Sequence, residues 1–343
     1  MRFATPTACL PRRGRPTEGA RAVEVTADAS RAVEVTSRTV DVDGPVHYAD
    51  FGGDPDGATI VCVHGLGGSH RNWLAVAPGL AELGHVLALD LVGHGLTPAG
   101  GRVPDVEGHR RLLAGFLGVV VGRPVILVGN SMGALVTALV ASEVPELVAG
   151  LVLVDPALPV RSIAPFRPSV VANFAACAIP GVGEAYLGVR RRQTTAEQSV
   201  RRVLRSCCVD PARVPTSVVA AHVALTEEVD WFAADAAYLT SARSLARRFV
   251  ASGATCAALD RIEQPTVVLH GARDRIVPLR VARALVAAHP GWQLEVAVDA
   301  GHAPMLEVPA WTVEAITRWV RGASRTPTAG WPTDWDDGRL PER

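Results

Sequence analysis

The chain predicts an α/β protein, a mostly parallel sheet covered by helices on both faces, and three observations carry that expectation. Short β-branched runs alternate with longer helix-compatible stretches from Val33 onward. The runs are almost continuously apolar, as strands buried on both faces must be. One strand-like run passes through a glycine-flanked turn directly into a helix-like stretch.

Taken in order, the clearest strands are T-I-V-C-V at 59–63, H-V-L-A-L at 85–89, P-V-I-L-V at 124–128, L-V-L-V at 151–154, T-V-V-L at 266–269 and L-E-V-A-V at 294–298. Helices are expected over 72–83, 107–121, 131–143, 279–289 and 310–321. The alternation stops after Asp155 and resumes near Gln264. The hundred or so residues between, 156–263, read as a helical insertion over the carboxyl edge of the sheet. This divides the chain into a core (31–155 and 264–322), a helical cap (156–263), a leader (1–30) expected to be disordered and a turn-rich tail (323–343). The hexapeptide R-A-V-E-V-T occurs at 21–26 and 31–36. Two copies are too few for a solenoid, and the second is placed in an early strand.

Composition narrows the function. With 343 residues, 48% of them hydrophobic, the chain can bury one sizeable core plus an inserted subdomain. Its 34 basic and 34 acidic residues cancel, so no global field recruits nucleic acid or an anionic membrane. Six cysteines without a C-x-x-C pair fit free thiols in a reducing compartment. No export signal and no transmembrane span is read, which leads to the expectation of a cytoplasmic protein without metal or organic cofactor.

The chemistry starts at G-N-S-M-G, residues 129–133. Ser131 sits between strand and helix, with Gly129 and Gly133 where the turn leaves no room for side chains. An ordinary helix cap would also use a serine, but the strand-turn-helix context favours a nucleophile elbow. A hydroxyl needs a base, and the base needs an acid to orient it. His302, in D-A-G-H-A-P after the last strand, is the expected base, and Asp274, in H-G-A-R-D-R-I-V-P, the expected acid. Asp155 and Asp299 compete for the acid's role. The backbone N–H groups of Met132, at a helix N-terminus, and Leu66, in the loop H-G-L-G-G (64–68), are assigned to an oxyanion hole, with His64, Gly65 and Gly67 supporting that loop.

Five motifs stand in order: H-G-L-G-G with Trp73 nine positions after His64, D-L-V-G-H-G-L-T at 90–97, G-N-S-M-G, G-A-R-D-R-I-V-P at 271–278 and G-H-A-P-M-L-E at 301–307. With them the chain resembles the α/β-hydrolase superfamily over about residues 45–322, in its serine-nucleophile, cap-bearing, esterase- and lipase-like branch. The resemblance implies an eight-stranded, mostly parallel sheet with a cap after the sixth strand and a triad in the order Ser, Asp, His.

The elbow spelling is similar to that of meta-cleavage C–C bond hydrolases. However, Ala303 and Ala75 stand where that group carries Trp and Asn. The sequence-level expectation is therefore a hydrolase of small or medium apolar carboxylic esters. C–C hydrolysis, cofactor-free perhydrolase or haloperoxidase chemistry, and a non-catalytic small-molecule receptor are the alternatives. In the insertion, residues 165–188 suit an apolar lid or a packing face equally. The arginines at 190–192, 201, 202 and 205 read as a solvated face paired with Glu227, Glu228 and Asp230.

Overall fold

A computed structural model describes residues 17–26, 32–160 and 166–324. The strands are β1 (Thr17–Thr26), β2 (Ala32–Asp41), β3 (Pro45–Asp50), β4 (Ala58–Val63), β5 (Gly84–Leu89), β6 (Val125–Asn130), β7 (Val148–Val154), β8 (Thr266–Gly271) and β9 (Trp292–Ala297). They form a single sheet in the order β1-β2-β3-β5-β4-β6-β7-β8-β9. From β5 to β9 every pairing is parallel, and β1, β2 and β3 join antiparallel at one edge. Strands β2–β9 are the eight of the α/β-hydrolase fold. In β4, β6, β7 and β8 every residue is buried, as the near-continuous apolar runs require.

The ninth strand corrects the reading of the first thirty residues as a disordered leader. Thr17–Thr26 pairs with β2, and the two hexapeptide copies lie against each other, with Val23 opposite Val35 and Val25 opposite Val33. Alternation of apolar and polar residues in both copies is the pattern of an antiparallel pair, and the repeat supplies both of its strands. Residues 1–16 of the expected leader, and the tail from 325 onward, lie outside the described residues.

Helices cover both faces of the sheet. The short α1 (Ala77–Leu80) is all that regular α-helix makes of the predicted 72–83 segment; Pro78 sits in its first turn, where a proline begins a helix but does not let it extend backward, and a 3-10 turn over His70–Trp73 precedes it. Helix α2 (Val106–Phe116) starts on an Asp105 cap and runs into a π-turn ended by Gly122. Helix α3 (Met132–Glu143) follows β6 and is buried over most of its length, so it shows no amphipathic stripe.

Between β7 and β8 the chain forms six further helices: α4 (Pro168–Ala178), α5 (Val182–Arg192), α6 (Ala196–Cys207), α7 (Thr216–Glu228), α8 (Trp231–Val250) and α9 (Gly253–Leu259). The core closes with α10 (Leu279–Ala288), α11 (Pro304–Glu307) and α12 (Pro309–Ser324). Two apolar layers result. One, with Leu127, Leu135 and Leu153, lies under α2 and α3; the other, with Trp73, Ile126 and Ile316, lies under α1 and α12.

Within the insertion, the arginines find partners other than those expected. Arg191 pairs with Asp235 and with the Trp231 carbonyl, Arg201 with Glu197 at 2.8 Å, and the Arg190 guanidinium lies 5.4 Å from the Tyr186 ring centre. Asp230 instead caps α8. No single helix among the described residues is long and apolar enough to cross a membrane, although α4 and α5, bent by 106° at their break, pass that test of length and composition as a pair.

Candidate active site

The parallel strands end at one edge of the sheet, and four of the predicted segments meet there. Ser131 connects β6 to α3 with φ 54° and ψ −114°, a backbone state that a non-glycine residue adopts at a cost of about 1–3 kcal/mol. The surroundings hold it there. Its N–H donates to the Val154 carbonyl at 2.9 Å, and its own carbonyl accepts from Ala134, Leu135 and Ala157. The turn also demands Gly133, because a Cβ at that position would lie 2.3 Å from the Val63 oxygen and 2.5 Å from that of His64.

The H-G-L-G-G loop, after β4, lies against this turn. A Cβ on Gly65 would be 3.1 Å from the Ser131 Cβ and 3.1 Å from Asn130 Oδ1, a tight fit that glycine avoids. Gly68 N–H closes the loop on the Gly65 carbonyl at 3.0 Å, a turn whose own hydrogen bond does not involve the Leu66 N–H. Met132 opens α3, and its N–H belongs to a first turn without intrahelical acceptors.

His64 is fully buried and spans two segments. Its Nδ1 lies 2.7 Å from the Gly65 carbonyl and its Nε2 accepts from Leu91 N–H at 3.0 Å, so the proton sits on Nδ1. Burial pushes its pKa down to about 3, with His94 adding to the shift. Such an imidazole links the H-G-L-G-G loop to the segment after β5.

His302 follows β9 and is fixed from both sides. Its N–H donates to the Cys207 carbonyl at the end of α6 (2.6 Å), and its own carbonyl accepts from the Asn130 side chain at 3.3 Å. Its Nδ1 lies 2.7 Å from Asp274 Oδ2. Asp274 is positioned by the loop after β8, where its Oδ1 accepts from the N–H groups of Ile276 (2.7 Å) and Val277 (3.0 Å). Burial opposes ionisation of this carboxyl, but the adjacent His302 and these donors hold it below the ordinary carboxylate range. Ser131, Asp274 and His302 are exposed by only 9%, 8% and 6%, so each of the three lies in a nearly dry setting.

The competing acids part company with His302. The Asp299 carboxylate is taken up by Arg213 and Arg273 at the surface. Asp155 turns its Oδ1 to the Gly271 N–H at 2.9 Å.

Four contributors escaped the sequence reading. Asn130 is only a variable letter of the G-x-S-x-G pattern, yet it ties β6 to the His302 loop. Glu307, the last letter of G-H-A-P-M-L-E, is buried and accepts from the N–H groups of Gly301 (2.8 Å) and Asp210 (2.7 Å), joining that loop to the insertion. Tyr238 of α8 covers the H-G-L-G-G loop, its ring 3.1 Å from where a Gly67 Cβ would stand. Asp90, opening D-L-V-G-H-G-L-T, accepts from His47 Nδ1, His70 N and Nδ1, and Leu96 N. The motif alone does not disclose this task.

Two clusters among the described residues bring ligating atoms within 4.8 Å of one another: His47, His70 and Asp90, and Asp155, His270 and Asp274. In the first, the four donors around Asp90 already fill its carboxylate. The second adjoins His302 through Asp274.

A strained polar residue at a strand-helix turn, with a buried histidine and carboxylate on later loops of the same sheet edge, defines a protein of α/β-hydrolase architecture. The chain belongs to the alpha/beta hydrolase family, whose model matches residues 60–315. It is 29% identical over 280 residues, 77% of this chain and 98% of the relative, to the pimeloyl-[acyl-carrier protein] methyl ester esterase of Aromatoleum aromaticum. It is 28% identical over 285 residues to an uncharacterized protein of Mycobacterium tuberculosis, covering 77% of this chain and 75% of that one. Among solved structures, haloalkane dehalogenase DbeA from Bradyrhizobium elkani aligns with a TM-score of 0.74 at 21% identity, over 85% of this chain and 99% of the other, a likeness of fold. Family membership and the esterase- and lipase-like relatives support hydrolase activity.

Proposed function

We propose that the protein is a serine hydrolase that cleaves small or medium apolar carboxylic esters through an acyl-enzyme. One observation carries the reading: a serine held at φ 54° and ψ −114° is tethered through its neighbour Asn130 to a histidine whose Nδ1 lies 2.7 Å from a buried aspartate. A helix cap needs neither the strain nor the tether.

In this reading Ser131 Oγ attacks the ester carbonyl as His302 Nε2 takes its proton. Asp274 keeps the Nδ1–H in place and balances the imidazolium charge. The N–H groups of Leu66 and Met132 stabilise the oxyanion. Collapse of the tetrahedral intermediate expels the alcohol, which receives the proton from His302. Water then releases the acid by the same steps.

The apolar preference rests on what packs around Leu66. Leu66, together with Phe174, Leu187 and Tyr238 from α4, α5 and α8, packs against the buried cluster of Cys177, Leu239 and Ala242, an apolar wall suited to an acyl chain and not to a charged substrate. The likeness to a dehalogenase does not extend to chemistry, since that reaction needs a carboxylate nucleophile where this chain has Ser131. Perhydrolysis on the same triad is the second reading, because it asks for no further protein group. A protein of this kind would work without metal or organic cofactor.

Turnover of p-nitrophenyl esters of graded acyl length by wild type and Ser131→Ala tests the proposal. Wild type should prefer short to medium chains and the variant should be inactive. No turnover by wild type across the series would sink the ester reading, and equal turnover by both would sink the site.

A further inference from the structure

Asp155 is a buried carboxyl that the mechanism above leaves unused. It follows β7 at φ 44°, a left-handed backbone state unusual for a side-chain-bearing residue, and it is fully buried. Its Oδ1 accepts from Gly271 N–H at 2.9 Å, while its Oδ2 meets no donor. Beside it, His270 is also fully buried. His270 Nε2 lies 3.0 Å from the Val277 carbonyl and therefore carries the ring proton, which leaves Nδ1 a bare acceptor 3.5 Å from Asp155 Oδ1. Asp274 Oδ2 lies 3.7 Å from His270 Nε2, completing a cluster whose ligating atoms fall within 4.8 Å of one another.

Two carboxyl groups and a neutral imidazole thus share a dry space in which acceptors outnumber donors. A buried acceptor without a donor is costly, and two adjacent carboxylates cannot both ionise cheaply. A single proton on one of the acids answers both problems. The hydrogen bonds say which acid holds it. Asp274 receives three, from Ile276 N, Val277 N and His302 Nδ1, all of which favour its anion. Asp155 receives one, from Gly271 N.

We propose that Asp155 is a positioning residue of the site, a carboxylic acid whose O–H donates to the Asp274 carboxylate and fixes that carboxylate for His302. This rests on the triad reading above. Burial first, and the Asp274 charge second, push the Asp155 carboxyl well above the ordinary carboxylate range, with Glu307 adding to the effect. Cys207 also faces the pair as a thiol raised to about 12, chiefly by burial, and burial keeps His270 neutral. Together with His302 beyond Asp274, these are the titratable groups around it.

The test combines a spectroscopic and a kinetic readout on the full chain. Infrared spectra of wild type at pH 8, in light and heavy water, should contain the C=O stretch of a protonated carboxyl, and Asp155→Asn should lack it. Asp155→Asn keeps a donor at the same place and should hold kcat within about threefold. Asp155→Leu, of similar size without a donor, should lose about tenfold in kcat at unchanged KM. Absence of the wild-type band, or equal kcat losses in both variants, would overturn the proposal. If Asp155→Leu does not fold, the band and Asp155→Asn still decide. Should the protein prove to turn over no ester at all, the triad reading fails by itself, while the band continues to report the proton.

Discussion

The side-chain amide of Asn130 donates to the main-chain carbonyl of His302 at 3.3 Å, across 172 positions of sequence, and to the Val154 carbonyl at 3.2 Å. The residue before the elbow serine therefore sets the height of the loop that carries the imidazole. Asn130→Ala leaves two buried carbonyls with one donor fewer and should destabilise the fold by about 1–3 kcal/mol. It should also lower kcat about tenfold, since His302, the proposed base, loses its tether. Asn130→Asp, which turns an acceptor toward both carbonyls, should be worse than Asn130→Ala in both respects. Chemical denaturation and ester kinetics on the two variants read the order directly, and Asn130→Asp faring as well as wild type would contradict the tether.

Ser131 should be a place where function and stability oppose each other. At φ 54° and ψ −114° glycine is relieved of strain that serine bears. Ser131→Gly is therefore expected to raise stability by about 1 kcal/mol while abolishing turnover. Ser131→Ala should abolish turnover without that gain, because its Cβ keeps the strain. Paired thermal melts and assays check this, and a destabilised Ser131→Gly would mean that the turn is not strained.

Gly133→Ala places a methyl group against two backbone carbonyls that cannot rotate away, at 2.3 Å and 2.5 Å. A loss of about 3 kcal/mol or more is expected, with activity falling alongside as α3 is pushed off β4. A midpoint of denaturation equal to that of wild type would show that the elbow has room to spare.

Acid should weaken the fold well before carboxylates titrate. His64, fully buried, has a folded-state pKa of about 3, and burial likewise lowers His94 and His109. Below pH about 6.5 the unfolded chain binds protons that the folded chain refuses, so stability rises with pH in this range and falls as pH drops toward about 3. Each such histidine contributes a slope of up to about 1.4 kcal/mol per pH unit. Asp274 adds to the loss only at lower pH, since its depressed carboxyl gives stability above its unfolded value that disappears on protonation. Urea midpoints at pH 7.5, 6.0 and 5.0 should decline step by step, and a flat series would refute the neutral, buried state of these rings.

Asp274→Asn should cost the fold about 1–3 kcal/mol, since the buried anion that accepts from Ile276, Val277 and His302 is lost, and should reduce kcat by orders of magnitude, because an amide in place of the carboxylate no longer selects the Nδ1–H tautomer of His302. An unchanged kcat would move the acid's role to another residue, with Asp155 the nearest candidate.

What the chain determined by itself was local. Strand positions, the class of fold, the elbow at Ser131 and the candidate pair Asp274 and His302 were all legible, since each depends on short-range patterns: β-branched runs, glycines where backbones crowd, a polar residue at a strand end. The hexapeptide repeat was visible too, but its pairing as β1 and β2 was not, because a hairpin is decided by what its strands meet. The tertiary structure alone decided everything held by contacts between distant segments. Asn130 could reach His302, Glu307 could join the Gly301 loop to Asp210, and Tyr238 could cover Gly67 only once the sheet had brought its strand ends together. The choice among Asp155, Asp274 and Asp299 was of the same kind. All three are acids in loops at or near strand ends, and their different roles come from their neighbours: arginines for Asp299, backbone donors and His302 for Asp274, a second acid for Asp155. A carboxyl's task depends on the groups within a few ångströms of it, and a sequence does not contain that distance.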